Sequence, residues 1–413
     1  MRFPTIDQSN NSIDSMSKQL EQVKLLQTQV STGQKIQLAS EDPALANRII
    51  DVHSHIQRLK GFEQNSILAE NRTKIVAEGI QDSVNLTNQI QEVLIHAQND
   101  TLSNSDRSNL AEELKGYLQN IMDIANTQDS DGNYIFSGMN VGIPAFIQEG
   151  SQYVYQGSQD GTQIPIGEHI NVIYNESGYQ LFDSIKLGNG TFTVSADSVN
   201  NTGTGVINPG NLSSSTNYIQ DDYKITIVTN ASGQIAYQLI ATNGGQLIPI
   251  PPATTPDNAP AYIAGQTIEQ NGISIQITGE PNVGDTFSIE TSTTDNIFNI
   301  LQNMINTLST PIYSEKEKTD LHQALSDQAS NMKQVSNHFQ TRLVDAGYRG
   351  KMIDDYLAIN QNRLIDAEIM FGKLSDTDLG QAISELTQRL TTLEVTQQTY
   401  LKIQETYFDL LNS

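Results

Sequence analysis

The chain has 413 residues, 37% of them hydrophobic, no cysteine and no tryptophan, with a formal net charge of −24 and a pI near 4.4. Such a chain repels phosphate backbones and anionic lipid, so no nucleic acid and no membrane is expected among its partners, and without thiols it has no disulfides, no thiol catalysis and no cysteine-bound zinc. No apolar run reaches the roughly 20 residues of a membrane span, and the opening MRFPTIDQSNNSIDSM lacks the basic and apolar regions of a cleaved signal peptide. The expectation is a modular chain of two or three domains, cytosolic or exported without such a peptide, whose partners are proteins.

Helix is predicted almost throughout the first third. Ile6, Ser9, Ile13, Met16, Leu20, Val23, Gln27 and Val30 alternate three- and four-residue steps, the seam of a helix that needs a helical partner. Gly33 supplies a left-handed cap. Asp42-Pro43 then offers an N-cap followed by proline at the first helical position, where the missing N–H costs nothing. A long helix of about 55 residues, about 80 Å if straight, follows to Asn99-Asp100, striped by Leu45, Ile49, Val52, Ile56, Leu59, Ile90, Leu94 and Ala97. A third helix is predicted from about Asp106 to Thr127, with Leu110, Leu114, Tyr117, Ile121 and Ile124 on one face.

From Asp131-Gly132-Asn133-Tyr134 to about Thr294 helical periodicity is lost, and glycine, proline and short alternating runs take over. Tyr223 to Thr229 and Gly272 to Ile277 read as strands, with Asn271-Gly272, Asn243-Gly244 and Ser232-Gly233 as turns. Ser195 to Thr216, rich in Ser, Asn, Gly and Thr, reads as a mobile loop. Helix resumes at Asp295, with a short element ending before Pro311 and a long one from about Glu315 to Leu374. The long stripe includes Leu321, Leu325, Met332, Val335, Phe339, Ile353, Leu357, Leu364, Ala367 and Phe371, broken at Asn360. Ser375 to Asp378 resembles a capping box opening a terminal helix. That helix carries a second seam through Leu379, Ile383, Leu386, Leu390, Leu393, Gln397, Tyr400, Gln404, Tyr407 and Leu411.

The fold class implied is mainly α with a β insert: a long antiparallel helical rod with terminal coiled-coil helices and one all-β domain between the helical halves. The domains expected are residues 1–33 with 376–413 as assembly helices, 43–138 with 295–374 as the rod, and 139–294 as the insert. The assembly interface is expected on Ile6, Ile13, Met16, Leu20, Val23, Gln27 and Val30 of the first seam, and on the second seam as a whole.

Little argues for catalysis. In Asp51-Val52-His53-Ser54-His55 the two histidines point about 200° apart on a helix, and only Asp51 and His55 share a face, a poor metal set. His96, His169, His322 and His338 stand alone. Asp129 to Gly132 faintly follows a calcium loop, but Thr127 and Gly138 occupy ligand positions, so it reads as a turn. Phosphate-cradling and nucleophile-elbow motifs are absent. No catalytic, metal-binding or cofactor-binding residue is assigned and no enzyme activity is expected.

Gln29 to Ile36 followed by Ala39 to Ala46 resembles the amino-terminal signature of the bacterial flagellin superfamily, in the form with proline after the acidic pair, Glu41-Asp42-Pro43. That form is similar to the hook-associated proteins of the hook–filament junction. Gly132 to Gly138, Gly279 to Phe287 and Leu374 to Asp378 resemble further segments of that group, while most of Gly138 to Gln270 is covered by analogy alone. The resemblance implies a structural component of the flagellum, exported through the type III channel without a cleaved signal and extracellular once assembled. It further implies a ring of copies held by the terminal helices, with a neighbouring hook-associated protein, flagellin and an export chaperone as partners. Filament flagellin is the alternative, from which Pro43 and the Asn412-Ser413 end depart. A secreted β-domain binding module, using Tyr153, Tyr155 and Tyr174, and an enzyme carried in the insert are others.

Overall fold

A computed structural model describes residues 3–243, 246–249 and 254–412. Among the described residues six α-helices frame a β-rich centre: α1 (Phe3–Thr32), α2 (Pro43–Ala97) and α3 (Asn104–Ala125) before it, α4 (Ile297–Ser309), α5 (Glu315–Ser375) and α6 (Leu379–Asn412) after it. Mainly α with a central β insert is therefore the observed class. The chain divides into two units, Met1–Ser66 with Ile166–Glu168 and Asp355–Ser413, and Ile67–Pro165 with His169–Asp354.

In the first unit α1 and α6 pack against each other. Their direction is set at one end, where Lys35 N donates to Ser375 O and Thr377 N to Gly33 O, both at 2.8 Å, so the two helices run back antiparallel from this clasp. Gly33 takes φ +73° and ends α1 as expected. Asp42 Oδ1 accepts from Ala44 N and Leu45 N and opens α2. At α6 the cap is Asp378, accepting from Gln381 N at 3.1 Å. The box expected from Ser375 does not form, because Ser375 still belongs to α5 and its hydroxyl bonds Asp376. Ile56 and Leu59 of α2 pack with Ala367 of α5. Asn360, which breaks the α5 stripe, is 1% exposed and donates to Ile166 O at 2.8 Å, so the polar break satisfies a buried carbonyl.

Among the described residues the second unit holds two large hydrophobic cores. The larger gathers Ile80, Ile90 and Leu94 of α2, Leu114 and Ile121 of α3, all of the apolar face of α4, and Leu325, Met332, Val335 and Phe339 of α5. Ser103 caps α3 reciprocally with Asp106. Phe146, Tyr153, Phe182 and Ile185, which lie inside the segment read as the β insert, also belong to this helical core. The first part of the insert is two hairpins (146–155 and 162–175) and a π-helical turn at Tyr179–Asp183, laid on the helices.

The smaller core is all β. A five-stranded antiparallel sheet, ordered 246–249, 235–243, 222–229, 286–291, 192–196, faces a second sheet of shorter strands in which 273–278 pairs with 267–270, 206–207 and 211–212, and Tyr223, Ile225, Phe287, Ile275 and Ile277 fill the space between. Asn271-Gly272 forms the expected hairpin turn, at φ +49° and +79°; the expected turn at Asn243-Gly244 lies outside the described residues. The chain enters and leaves this core through a two-stranded neck, Ile185–Lys186 against Thr294–Asp295, where Leu187 N donates to Thr293 O at 2.9 Å.

Ser195 to Thr216 is a built loop rather than the mobile one expected. Asp285, 1% exposed, accepts from Thr202 N, Gly203 N and Asn282 N, while Asn201 exchanges hydrogen bonds with Thr286 backbone N and O. The polar composition that suggested mobility supplies the partners for a turn-rich backbone with few strand pairs. The pin lies in Gly279 to Phe287. Gly279 itself must lack a side chain, since at φ +77° a Cβ would stand 2.1 Å from Thr204 O.

Candidate functional site

The seams expected at the two ends meet, but not as one continuous interface. Along α1 the side chains turned to α6 are Met16, Val23, Leu26 and Val30, with Val23 4% exposed, while Ile13, Leu20 and Gln27 stay exposed, Leu20 at 46%. Along α6, Leu386, Leu393 and Tyr400 are turned inward with Ala382, whereas Leu379, Ile383, Leu390, Gln397 and Gln404 are exposed, Leu390 at 43% against 8% for Leu393. Each seam thus splits into two lines of seven-residue period, with Leu379, at the start of α6, exposed although it lies on the inner line. One line is spent inside the chain, and the other presents leucine and isoleucine to solvent at Ile13, Leu20, Ile383 and Leu390. Ile6, Tyr407 and Leu411 fall outside the side chains described. Leu26 and Ala382, which sequence reasoning passed over, complete the buried face; Ser12 and Gln19, each seven residues apart on the Leu26 line, hid it behind polar character.

The pair that results is thin. Among the described residues only Val23, Leu26, Ala382 and Leu393 are buried in it, and burying a valine or leucine contributes about 1.5–3 kcal/mol each. Helices of 30 and 34 residues lean on so narrow a stripe that the open lines are the larger unused source of stabilisation. Gln27 and Gln397, both exposed, are polar breaks in those lines, and Gln404 donates to Tyr400 one turn back, at 3.2 Å.

Elsewhere the candidate residues are structural. Tyr153 and Tyr155 sit on the helical core, Tyr155 Oη bonding Phe136 O and Ser158 O, and Tyr174 lies under the Arg72 guanidinium at 4.9 Å. Asp129 binds Arg72 at 2.7 Å and accepts from Asp131 N and Asn133 N, the fold of a turn. His53 is exposed and its ring stands 5.7 Å from that of Phe371. Among the described residues no three His, Asp or Glu side chains converge as a metal set, and no described helix is long and apolar enough to cross a membrane.

Helical ends that clasp each other, with a β-rich segment between them, define a flagellin-like fold, and residues 5–141 match the bacterial flagellin N-terminal helical region. More particularly, the chain resembles hook-associated protein 3. It is 33% identical over 157 residues to flagellar hook-associated protein 3 of Salmonella typhimurium, an alignment covering 38% of this chain and 49% of that relative. The chain thus spans about half the length of the curated relative it matches. The crystal structure of flagellar hook associated protein-3 from Legionella pneumophila superposes with a TM-score of 0.75 at 28% identity, over 79% of this chain and 98% of that one. The flagellar junction protein FlgL from Legionella pneumophila gives 0.68 at 29% identity, over 75% and 99%. The resemblance drawn from the signature segments is borne out.

Proposed function

We propose that this protein is a structural, non-enzymatic component of the bacterial flagellum that joins hook to filament, and that it assembles with further copies of itself through the open lines of α1 and α6. The observation that carries this reading is the seven-residue spacing of Ile13 and Leu20 on one helix and of Ile383 and Leu390 on the other, all exposed on a helix pair whose adjoining stripe is already buried. Helices of this length with a second apolar line gain a partner for it in another subunit. The names of the similar proteins support the place in the flagellum. On this reading residues 1–33 and 376–413 make the contact between copies, 43–138 and 295–374 form the helical support, and 139–294 is dispensable decoration in part. A neighbouring hook-associated protein, flagellin and an export chaperone are its partners, and it reaches the outside through the flagellar export channel.

Electron micrographs of a strain lacking the gene test this. Hooks without filaments, restored by the intact gene, are the expected result. Normal filaments would overturn the reading, and filaments lost together with the hook would assign the protein to an earlier stage of assembly. If the protein were filament flagellin, the deletion would leave hooks capped by the other junction components.

A further inference from the structure

Two adjoining cavities follow α5 and share His322, enclosing about 630 and 310 Å³. The chain as a whole has 47 acidic residues against 23 Lys and Arg, but this groove reverses that balance. The cations Arg107, Lys318 and Lys333 line it, with the His322 ring, against the single carboxylate of Asp100, which already accepts from His322 Nε2 at 2.7 Å and lies 3.4 Å from Lys318 Nζ. Lys333 has no ion-pair partner among the described residues. Arg107, 7% exposed, donates to Leu102 O at 3.1 Å and to Asn104, while its Nε has no acceptor. A field of cations in so acidic a chain selects an anionic ligand.

The shape narrows the class. Ser326, Ala329 and Ser330 form a floor of small side chains between His322 and Lys333, which the helical rise sets about 16 Å apart. The facing wall is the Pro209-Gly210 turn, held by the Asn189 amide through both carbonyls. Gly210 is required there, since at φ +67° a Cβ would meet Ile275 Cγ2 at 2.6 Å. Gln98, Asn211 and Gln334 line the rim with amides, groups that pair with both the N–H and the C=O of an extended backbone. Among the described residues no Phe, Tyr or Trp lines either cavity, and the one ring present, His322, is held by Asp100 at 2.7 Å, so the extended stacking platform that bases would use is missing. We propose that this groove binds an acidic peptide segment in extended conformation. At about 3.3 Å per residue, some five residues span the distance from His322 to Lys333, with one carboxylate beside Lys318, whose contact with Asp100 is long at 3.4 Å, and another at Lys333.

The test is fluorescence anisotropy on the full chain at low salt, with fluorescein-labelled Glu-Ser-Gly-Ser-Glu and its uncharged counterpart Gln-Ser-Gly-Ser-Gln. The acidic peptide is expected to bind and the uncharged one not, with affinity falling as salt is added. Lys333→Gln should weaken binding roughly fivefold, the worth of one partly exposed ion pair. Ala329→Trp, which fills the floor, should abolish it. Should that variant lose its native circular dichroism, Asn211→Glu at the exposed rim serves instead and should weaken binding by repulsion. Equal affinity for the two peptides, affinity unchanged in these variants, or no binding at millimolar peptide would each overturn the proposal. So would saturable binding of trigalacturonate in the same groove with the peptide inert, which would assign it to acidic sugars. None of these outcomes depends on the flagellar reading.

Discussion

Leu390→Asp and Leu393→Asp lie three residues apart on one helix and are expected to fail in different ways. Leu390 is 43% exposed and on the open line of α6; Leu393 is 8% exposed and turned to α1. A carboxylate at 390 keeps its water in the single chain, so monomer stability should move by no more than about 0.5 kcal/mol. In the assembly the same position would be covered. Burying the exposed half of a leucine contributes about 1 kcal/mol, and an unpaired charge there adds a penalty of at least about 2 kcal/mol. The sum of about 3 kcal/mol is more than a hundredfold in each contact between copies. At 393 the penalty falls inside the chain and should separate α1 from α6. Leu20→Asp and Val23→Asp form the matching pair on α1, at 46% and 4% exposure. Amide exchange on the purified chain reads the first effect, through protection of α1 and α6, and counting filamented cells in a complemented deletion strain reads the second. Leu390→Asp should retain wild-type protection and give no filaments; Leu393→Asp should lose protection. Normal filaments with Leu390→Asp, or protection lost equally in both variants, would refute the division into an inner and an open line.

Excising residues 190–291 across the neck at Leu187 and Thr293 should leave the helical core folding cooperatively, whereas excising 141–271 removes Phe146, Tyr153 and Phe182 from that core and should abolish the thermal transition followed by circular dichroism. Burial pushes the Asp327 carboxyl up from 3.8 to about 7, against the opposing hydrogen bond from Gln323. The unfolded chain therefore releases this proton first, and the group's contribution to stability is full below about pH 4 and falls as pH rises toward 7. Asp327→Asn should match the wild-type melting temperature at pH 4 and exceed it at pH 8. Arg72 and Asp129 form a pair at 2.7 Å with side chains 6% and 14% exposed, so Asp129→Ala strands a buried cation and should cost about 3 kcal/mol in urea denaturation. Ser103→Ala removes the α3 cap and should cost about 1 kcal/mol in the same assay.

Helices were legible in this sequence because their determinants are local. Asp42-Pro43, Gly33, the break at Asn99-Asp100 and the stop before Pro311 each act through the backbone of one or two residues, and the observed ends fall there. The β-rich centre was legible as a class and not as a partition. Alternating apolar residues at Tyr153 and Tyr155 read the same whether the far side of the hairpin meets another sheet or a helix, and here Phe298 of α4 lies 5.6 Å from the Tyr153 ring. Ser195 to Thr216 failed for the complementary reason: its order comes from Asp285, about 80 residues away, and composition carries no trace of so distant a partner. The terminal seams show the limit most clearly. A heptad repeat states that both of its lines need cover, but it is silent on whether that cover comes from the same chain or from another. Val23 and Leu20 are equally good seam residues by spacing, yet in the fold Val23 is 4% exposed and Leu20 46%. An open line is therefore a consequence of the chain closing on itself first. With Ile13 and Leu20 as widely spaced as Ile383 and Leu390, closure leaves two parallel apolar lines whose repeat another helix pair of the same kind can match.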